Sequence, residues 1–278
     1  MNQPTKVRRN HRLVYITQYL TERPNQLVHL SYFANYFNCA KSSISEDLDF
    51  IRGVLAENQM GTIKTVSGVT GGVIYQPQLG DKEIQQLIKT LIQQLKTGKR
   101  ILPGNYIYLT DILQQPSLVD SIAKLIAAHY QDRKIDAVVT IETKGIGLAS
   151  AVARFLNVDY LIVRRDSQDT EGSTISINYV SGIHRTVKKM ELSKSSLKAD
   201  SHVLVVDDFM RNGGTMEGLI SLIHEFDSHV DSICVLVDNS PEKQIHLPEY
   251  QSIIKVEIVY NQENSKFELA VEKGTIFA

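Results

Sequence analysis

The chain is short of cysteine, of net charge and of long apolar runs. Only two of its 278 residues are cysteine, Cys39 and Cys234. They lie far apart without metal-type spacing, and both are expected to be reduced thiols of a cytosolic protein. A net charge of −1 argues against a general nucleic-acid coat but leaves room for a local basic patch. No apolar run approaches the roughly 18 residues that span a bilayer. The polar, basic N-terminus does not read as a signal peptide. A soluble, cytoplasmic protein with no membrane partner is expected. Internal repeats and low-complexity tracts are missing as well. So are the common catalytic signatures. Gly98-Lys99 is followed by Arg100 and lacks the earlier glycine of a P-loop, and neither a His-Glu-x-x-His nor a Gly-x-Ser-x-Gly pattern occurs.

What is present begins with an apolar fraction of 42%, ample for a core, in a length that suits two domains. Its most informative stretch is Val203-Leu204-Val205-Val206-Asp207-Asp208-Phe209-Met210-Arg211-Asn212-Gly213-Gly214-Thr215. An apolar run ends in paired carboxylates, and a Gly-Gly pair then leads into a helical pattern at Leu219, Ile220, Leu222, Ile223 and Phe226. This predicts a buried parallel strand, a tight loop and a helix N-terminus. In open α/β folds such loops bind ligands at the carboxyl edge of the sheet. Gly213 and Gly214 admit positive φ and close backbone approach. Loop amides and the positive helix end suit a phosphate. Thr215 is expected to cap the helix or bond a phosphate oxygen. Asp207 and Asp208 can accept hydrogen bonds from vicinal hydroxyls, or hold Mg²⁺.

The N-terminal region reads differently. Basic residues, among them Arg8, Arg9 and Arg12, lead into a helix with Leu13, Ile16 and Leu20 at helical spacing. Leu30, Phe33, Ala34 and Phe37 mark a second helix. After a turn, Ser43 and Glu46 fit a capping box, and Ile44, Leu48, Ile51 and Leu55 stripe a third helix. That is a helix-turn-helix arrangement. Lys41, Ser42, Ser43 and Ser45 occupy the turn that meets base edges and phosphates in a major groove. Thr62 to Val66 and Val73 to Tyr75 flank a Gly-rich turn and read as a hairpin, with Lys64 on it. Helices plus hairpin make a winged helix, a module that serves DNA binding and also protein–protein contact. Glu46, Asp47 and Asp49 should point away from DNA or interact with the helix dipole.

Gln76 to Gly80 marks the boundary, dividing residues 1–75 from residues 76–278. Leu87, Ile88, Leu91, Ile92 and Leu95 predict an amphipathic helix, and Tyr106 to Leu109 a strand. A regular α/β rhythm starts at Ala137 to Ile141, with a loop Glu142-Thr143-Lys144-Gly145, a helix from Ile146 to Phe155 and a strand at Tyr160 to Val163. Residues 164–194 are rich in Arg and Lys, and Ser173 to Val180 alternates as a hairpin strand would. Further strands are expected at Ile233 to Val237 and Ile253 to Val259.

The stretch from Val203 to Thr215 resembles the phosphoribosyl pyrophosphate (PRPP) loop of type I phosphoribosyltransferases. With the N-terminal region, the whole chain resembles the purine operon repressor family of Gram-positive bacteria. The resemblance implies an N-terminal winged helix-turn-helix DNA-binding domain. It implies a C-terminal type I phosphoribosyltransferase-like α/β domain with a mostly parallel sheet. It puts the sugar-phosphate on residues 207–215, the pyrophosphate near Thr143, Lys144 and Gly145, and a flexible loop at residues 164–194. Double-stranded DNA of purine gene promoters is then the macromolecular partner, and PRPP the effector, with or without Mg²⁺. No cofactor or resident metal is required. A homodimer is expected, because helix-turn-helix proteins read paired half-sites.

Within the motif the chain departs from many catalytic relatives. Asn212 stands where they carry Thr or Ser. Arg211 stands where enzymes acting on 6-oxopurines place an acid, and a guanidinium cannot act as a general base at neutral pH. This disfavours transfer to 6-oxopurines by that route, although adenine-type enzymes lack the acid too. The helix-turn-helix and wing joined to a PRPP loop make a PRPP-responsive transcription regulator without catalytic residues the expected reading. The alternatives are a purine phosphoribosyltransferase with an accessory domain, and an interaction module that uses the winged helix for dimerisation alone.

Overall fold

The computed structural model describes residues 7–68, 71–96, 100–165, 172–181, 186–211, 213–240, 247, 250–262 and 265–278. At the N-terminus, α1 (Arg9–Thr21), α2 (Leu30–Tyr36) and α3 (Lys41–Glu57) turn their apolar stripes inward. Ile16, Leu20, Phe33, Ile44, Leu48, Ile51 and Leu55 meet in one cluster. The antiparallel hairpin of β1 (Gly61–Val66) and β2 (Gly72–Pro77) closes it through Ile63, Val73 and Tyr75. Val28 adds an isolated antiparallel bridge to Val73. This is the expected winged helix-turn-helix. Its hairpin runs past residue 75, since Gln76 pairs with Thr62 and Pro77 with Gly61.

Local details differ from the sequence reading. α3 starts at Lys41 with Ala40 in the N-cap position and no side-chain cap, so Ser43 and Glu46 form no capping box. Arg12 does not face outward. It is buried, and its Nε donates to Asp47 Oδ2 at 2.7 Å, while Arg9 Nε donates to Asp47 Oδ1 at 2.9 Å. Asp47 is thus an internal anion that clamps α1 to α3.

The second part holds α4 (Asp81–Lys96), the short hairpin of β3 (Ile101–Leu102) and β4 (Tyr106–Ile107), α5 (Thr110–Leu113) and α6 (Pro116–Tyr130). The strand expected over Tyr106 to Leu109 stops at Ile107, because Leu109 is buried at the start of α5. There follow β5 (Ala137–Ile141), α7 (Ile146–Leu156) and β6 (Asp159–Val163). Next comes the antiparallel pair β7 (Thr174–Ser181) and β8 (Thr186–Ser193). β9 (His202–Met210), α8 (Gly214–His224), β10 (His229–Asp238), β11 (Tyr250–Asn261) and β12 (Lys266–Lys273) complete the chain's main elements.

Six strands form one sheet in the order β12-β11-β10-β9-β5-β6. All neighbours are parallel except the antiparallel β11–β12 pair. Strand alternation sorts the core into two faces. Leu204 and Val206 of β9 and Val138 of β5 join α4, α6 and α7 on one side. Val203 and Val205 of β9, with Ala137 and Val139 of β5, join α8 and the β7–β8 hairpin on the other. The chain leaves β5 toward β6 but leaves β9 toward β10, so the strand order reverses between β5 and β9. Their two carboxyl-end loops therefore flank a topological switch point, where open α/β sheets form a crevice. Among the described residues no helix is long and apolar enough to cross a membrane.

Candidate functional site

At the end of β9 the chain makes the turn that its glycines predict, each for its own reason. Gly213 takes φ 71°, the left-handed region, as the N-cap residue of α8. Gly214 opens the helix where a Cβ would lie 2.6 Å from the Val180 carbonyl oxygen of β7. One glycine serves backbone shape and the other the approach of the hairpin. Thr215 lies inside the first turn and is not the cap. Asn212 lies outside the described residues.

The loop after β5 meets this turn across a cavity of about 580 Å³. Thr143 and Lys144 line it from one side. Asp207, Asp208, Phe209, Met210, Arg211, Gly213, Gly214 and Thr215 line the other. Gly145 stands behind the wall: a Cβ there would sit 2.5 Å from Asp207 Oδ1. The Glu142–Thr143 peptide is cis. Glu142 Oε1 accepts the Arg165 amide at 2.7 Å, tying this loop to the chain beyond β6. Arg165 and Lys188, from the basic segment, add cations to those walls.

Asp207 is buried at 5% exposure, and its Oδ1 accepts the Asp208 amide at 2.9 Å. Burial pushes the Asp207 carboxyl well above the usual aspartate range, and the charge of Asp208 pushes further. Asp208 is raised as well, chiefly by burial, while Asp207, Lys144 and Arg165 pull it back. Two acids held this way gain from hydroxyl donors or from a cation. Among the described residues, no group of three or more His, Cys, Asp or Glu side chains is placed to hold a metal ion. A divalent ion on Asp207 and Asp208 would need further oxygens from a ligand. The Thr140 hydroxyl, buried beside Gly145, has no hydrogen-bond partner among the described residues.

Sequence reasoning missed the roof of this cavity. Leu102, Pro103, Tyr106 and Ile107 of the β3–β4 hairpin close it. Arg211 hydrogen-bonds the Gly104 carbonyl and lies over the Tyr106 ring, 5.6 Å from its centroid. The Pro103-Gly104 pair marked a turn, but nothing local linked it to a loop a hundred residues away.

On the winged helix, Arg8, Lys41, Ser42 and Ser45 are exposed or partly exposed, as is Ser43. Arg9 is exposed while bonded to Asp47. Lys64 pairs with Asp132 of the second domain at 2.5 Å in an exposed contact, which salt screens and a phosphate can replace. Arg12 is withdrawn from the candidate interface by its burial.

Comparison with known proteins bears on both halves. Residues 8–77 match the family model of the bacterial purine repressor N-terminal domain, and residues 109–266 that of the phosphoribosyl transferase domain. The chain is 46% identical to a probable purine biosynthesis transcriptional regulator of Streptococcus pneumoniae, over 98% of each protein. It is 41% identical to a purine biosynthesis transcriptional activator of Lactococcus lactis, over 98% of this chain and 99% of that one. An adenine phosphoribosyltransferase of Thermoanaerobacter pseudethanolicus aligns with a TM-score of 0.53 at 22% identity, over 60% of this chain and 98% of that one. That likeness shows the fold of the second domain alone. With relatives that match both domains along nearly its whole length, the chain belongs to the family of bacterial purine biosynthesis transcriptional regulators.

Proposed function

We propose that PRPP occupies the cavity between the β5 and β9 loops and thereby controls how the winged helix holds promoter DNA of purine biosynthesis genes. The protein is a DNA-binding transcription regulator with a regulatory phosphoribosyltransferase-like domain, and not an enzyme. The observation that carries the effector reading is the meeting of two separate loops. The acid pair and Gly-Gly turn of β9–α8 face Thr143 and Lys144 across one crevice at the switch point. Ribose hydroxyls donate to Asp207 and Asp208, the turn amides and the positive end of α8 take the 5′-phosphate, and Lys144, Arg165 and Lys188 suit a pyrophosphate. Mg²⁺, where it accompanies PRPP, would be held by Asp207 and Asp208 and would offset the carboxylate and phosphate charge. Arg211, engaged with Gly104 and Tyr106, offers no base for glycosyl transfer.

A homodimer presenting two winged helices to paired half-sites completes the reading. Arg8, Arg9 and Lys41 make phosphate contacts, and Ser42, Ser43 and Ser45 lie toward base edges. DNA and PRPP then change each other's affinity reciprocally, typically by about 1–3 kcal/mol. Calorimetry with PRPP, paired with operator binding in its presence and absence, tests this. Saturable binding at one site per chain and a PRPP-dependent operator affinity are expected; operator affinity indifferent to saturating PRPP would defeat the proposal.

A further inference from the structure

One helix, α7, reaches from the cavity to the winged helix. α7 begins at the cavity wall, where Gly145 is its N-cap residue and packs so tightly on Asp207 that no side chain fits between them. The Gly145 carbonyl accepts the Ala149 amide at 2.9 Å, so the Thr143–Gly145 loop is continuous with the helix. Eleven residues later, after about 16 Å of rigid helix, α7 ends at Leu156. Its last carbonyls have no partner within the helix and carry the negative end of its dipole. The Ala153 carbonyl takes the Val158 amide at 3.1 Å. The Phe155 carbonyl takes something else: Asn25 Nδ2, from the winged helix, at 2.7 Å.

Asn25 is built for that bond. It sits between α1 and α2 in the left-handed region at φ 54°. Its amide donates to the Tyr75 carbonyl at 2.8 Å, and its Oδ1 accepts Gln76 Nε2 at 3.2 Å. The side-chain amide is thereby oriented with its NH₂ toward α7. The backbone bond fixes it to β2 of the wing. Between those ends the helix has no slack, because Leu148, Ala149, Val152, Ala153 and Phe155 are all buried in the core. Close-packed interiors transmit displacement rather than absorb it. The exposed Lys64–Asp132 pair and the exposed Gln59–Asp81 hydrogen bonds also tie the domains, each weaker for being solvated, and neither touches α7.

We propose that Asn25 is a positioning residue that transmits the state of the cavity to the DNA-binding domain, with α7 as the connecting rod. Movement of the Thr143–Gly145 loop around a bound pyrophosphate group shifts α7 along its axis, and the Phe155 carbonyl draws or releases Asn25 and the base of the wing. The inference rests on the reading of the cavity as the effector site.

The test uses the full chain, duplex DNA from a purine biosynthesis promoter, and PRPP. Operator affinity is measured with and without saturating PRPP, and PRPP affinity by calorimetry without DNA. Wild type is compared with Asn25→Gly, which keeps the left-handed backbone and removes the side-chain bonds, and with Asn25→Asp, which sets a carboxylate against the Phe155 carbonyl. The PRPP-induced change in operator affinity is expected to shrink by about threefold to tenfold in Asn25→Gly, and at least as far in Asn25→Asp. PRPP affinity without DNA should stay within about twofold of wild type, less than one net hydrogen bond. A wild-type change in both variants overturns the inference and leaves the cavity reading standing. Loss of operator or PRPP binding in the separate assays also overturns it, since Asn25 would then merely hold a domain together. Failure of PRPP to bind the wild type removes the cavity reading and this inference together.

Discussion

Replacing Asp207 with asparagine should stabilise the free protein and cripple its effector site. The wild-type carboxyl is 5% exposed, next to a second acid, and both circumstances disfavour its charged form. Each tenfold weakening of its acidity on folding corresponds to about 1.4 kcal/mol by which the ionised native state is penalised. Below the ordinary aspartate pKa the group is protonated folded or unfolded, and nothing is lost. As pH rises toward the raised native value, the unfolded chain releases its proton first and stability declines. The substituted amide is neutral throughout, and its carbonyl oxygen can still accept the Asp208 amide. We expect a higher Tm than wild type at neutral pH, with the gap closing as pH falls toward the ordinary aspartate range. Hydrogen bonds to a charged acceptor contribute about 1.5–3 kcal/mol each, so losing one weakens PRPP by about 10–100-fold. Thermal unfolding across pH and calorimetry with PRPP measure the two effects. A destabilised Asp207→Asn variant would show that the wild-type carboxyl is not penalised by its burial, and one with wild-type PRPP affinity would show that it does not hold the ligand.

Asp47→Ala strands the buried Arg12 without its counter-ion, and should cost about 3–5 kcal/mol in denaturant unfolding; a loss under about 1 kcal/mol would mean the pair is dispensable. Arg8→Ala and Lys41→Ala should each weaken operator binding and lower the slope of log affinity against log salt by about 0.9, with the fold unchanged. Gly214→Ala brings a Cβ within 2.6 Å of the Val180 carbonyl, so the β7–β8 hairpin or the α8 start must give way. An overpacking cost of about 1–3 kcal/mol, read as lower Tm or weaker PRPP binding, is expected.

The second domain's central strands were the most legible part of the sequence. Parallel strands covered on both faces read as unbroken apolar runs. For that reason Ala137–Ile141 coincides with β5, whereas β9 runs two residues past its acid pair to Met210, because Phe209 and Met210 still pair with Val237 and Asp238 of β10. The Gly-Gly turn was legible because backbone geometry forces residue choice there. The edge strand β12 passed unnoticed despite the alternation of Phe267, Leu269 and Val271, since most of it is exposed and its polar positions resemble a loop. Arg12 misled because a basic residue near a helix start looks the same whether it meets phosphate or a buried aspartate. What could not be read were partnerships across the chain: Arg211 with Gly104, Asn25 with Phe155, Lys64 with Asp132. Each depends on how the elements stack, and no local spacing encodes it.

A crystal structure of the chain with PRPP bound decides where the effector sits. The 5′-phosphate is expected against the amides of Gly213, Gly214 and Thr215, and the ribose hydroxyls on Asp207 and Asp208. The pyrophosphate is expected beside Thr143 and Lys144. PRPP seated elsewhere on the protein, or that crevice collapsed and empty at saturating ligand, would contradict this placement.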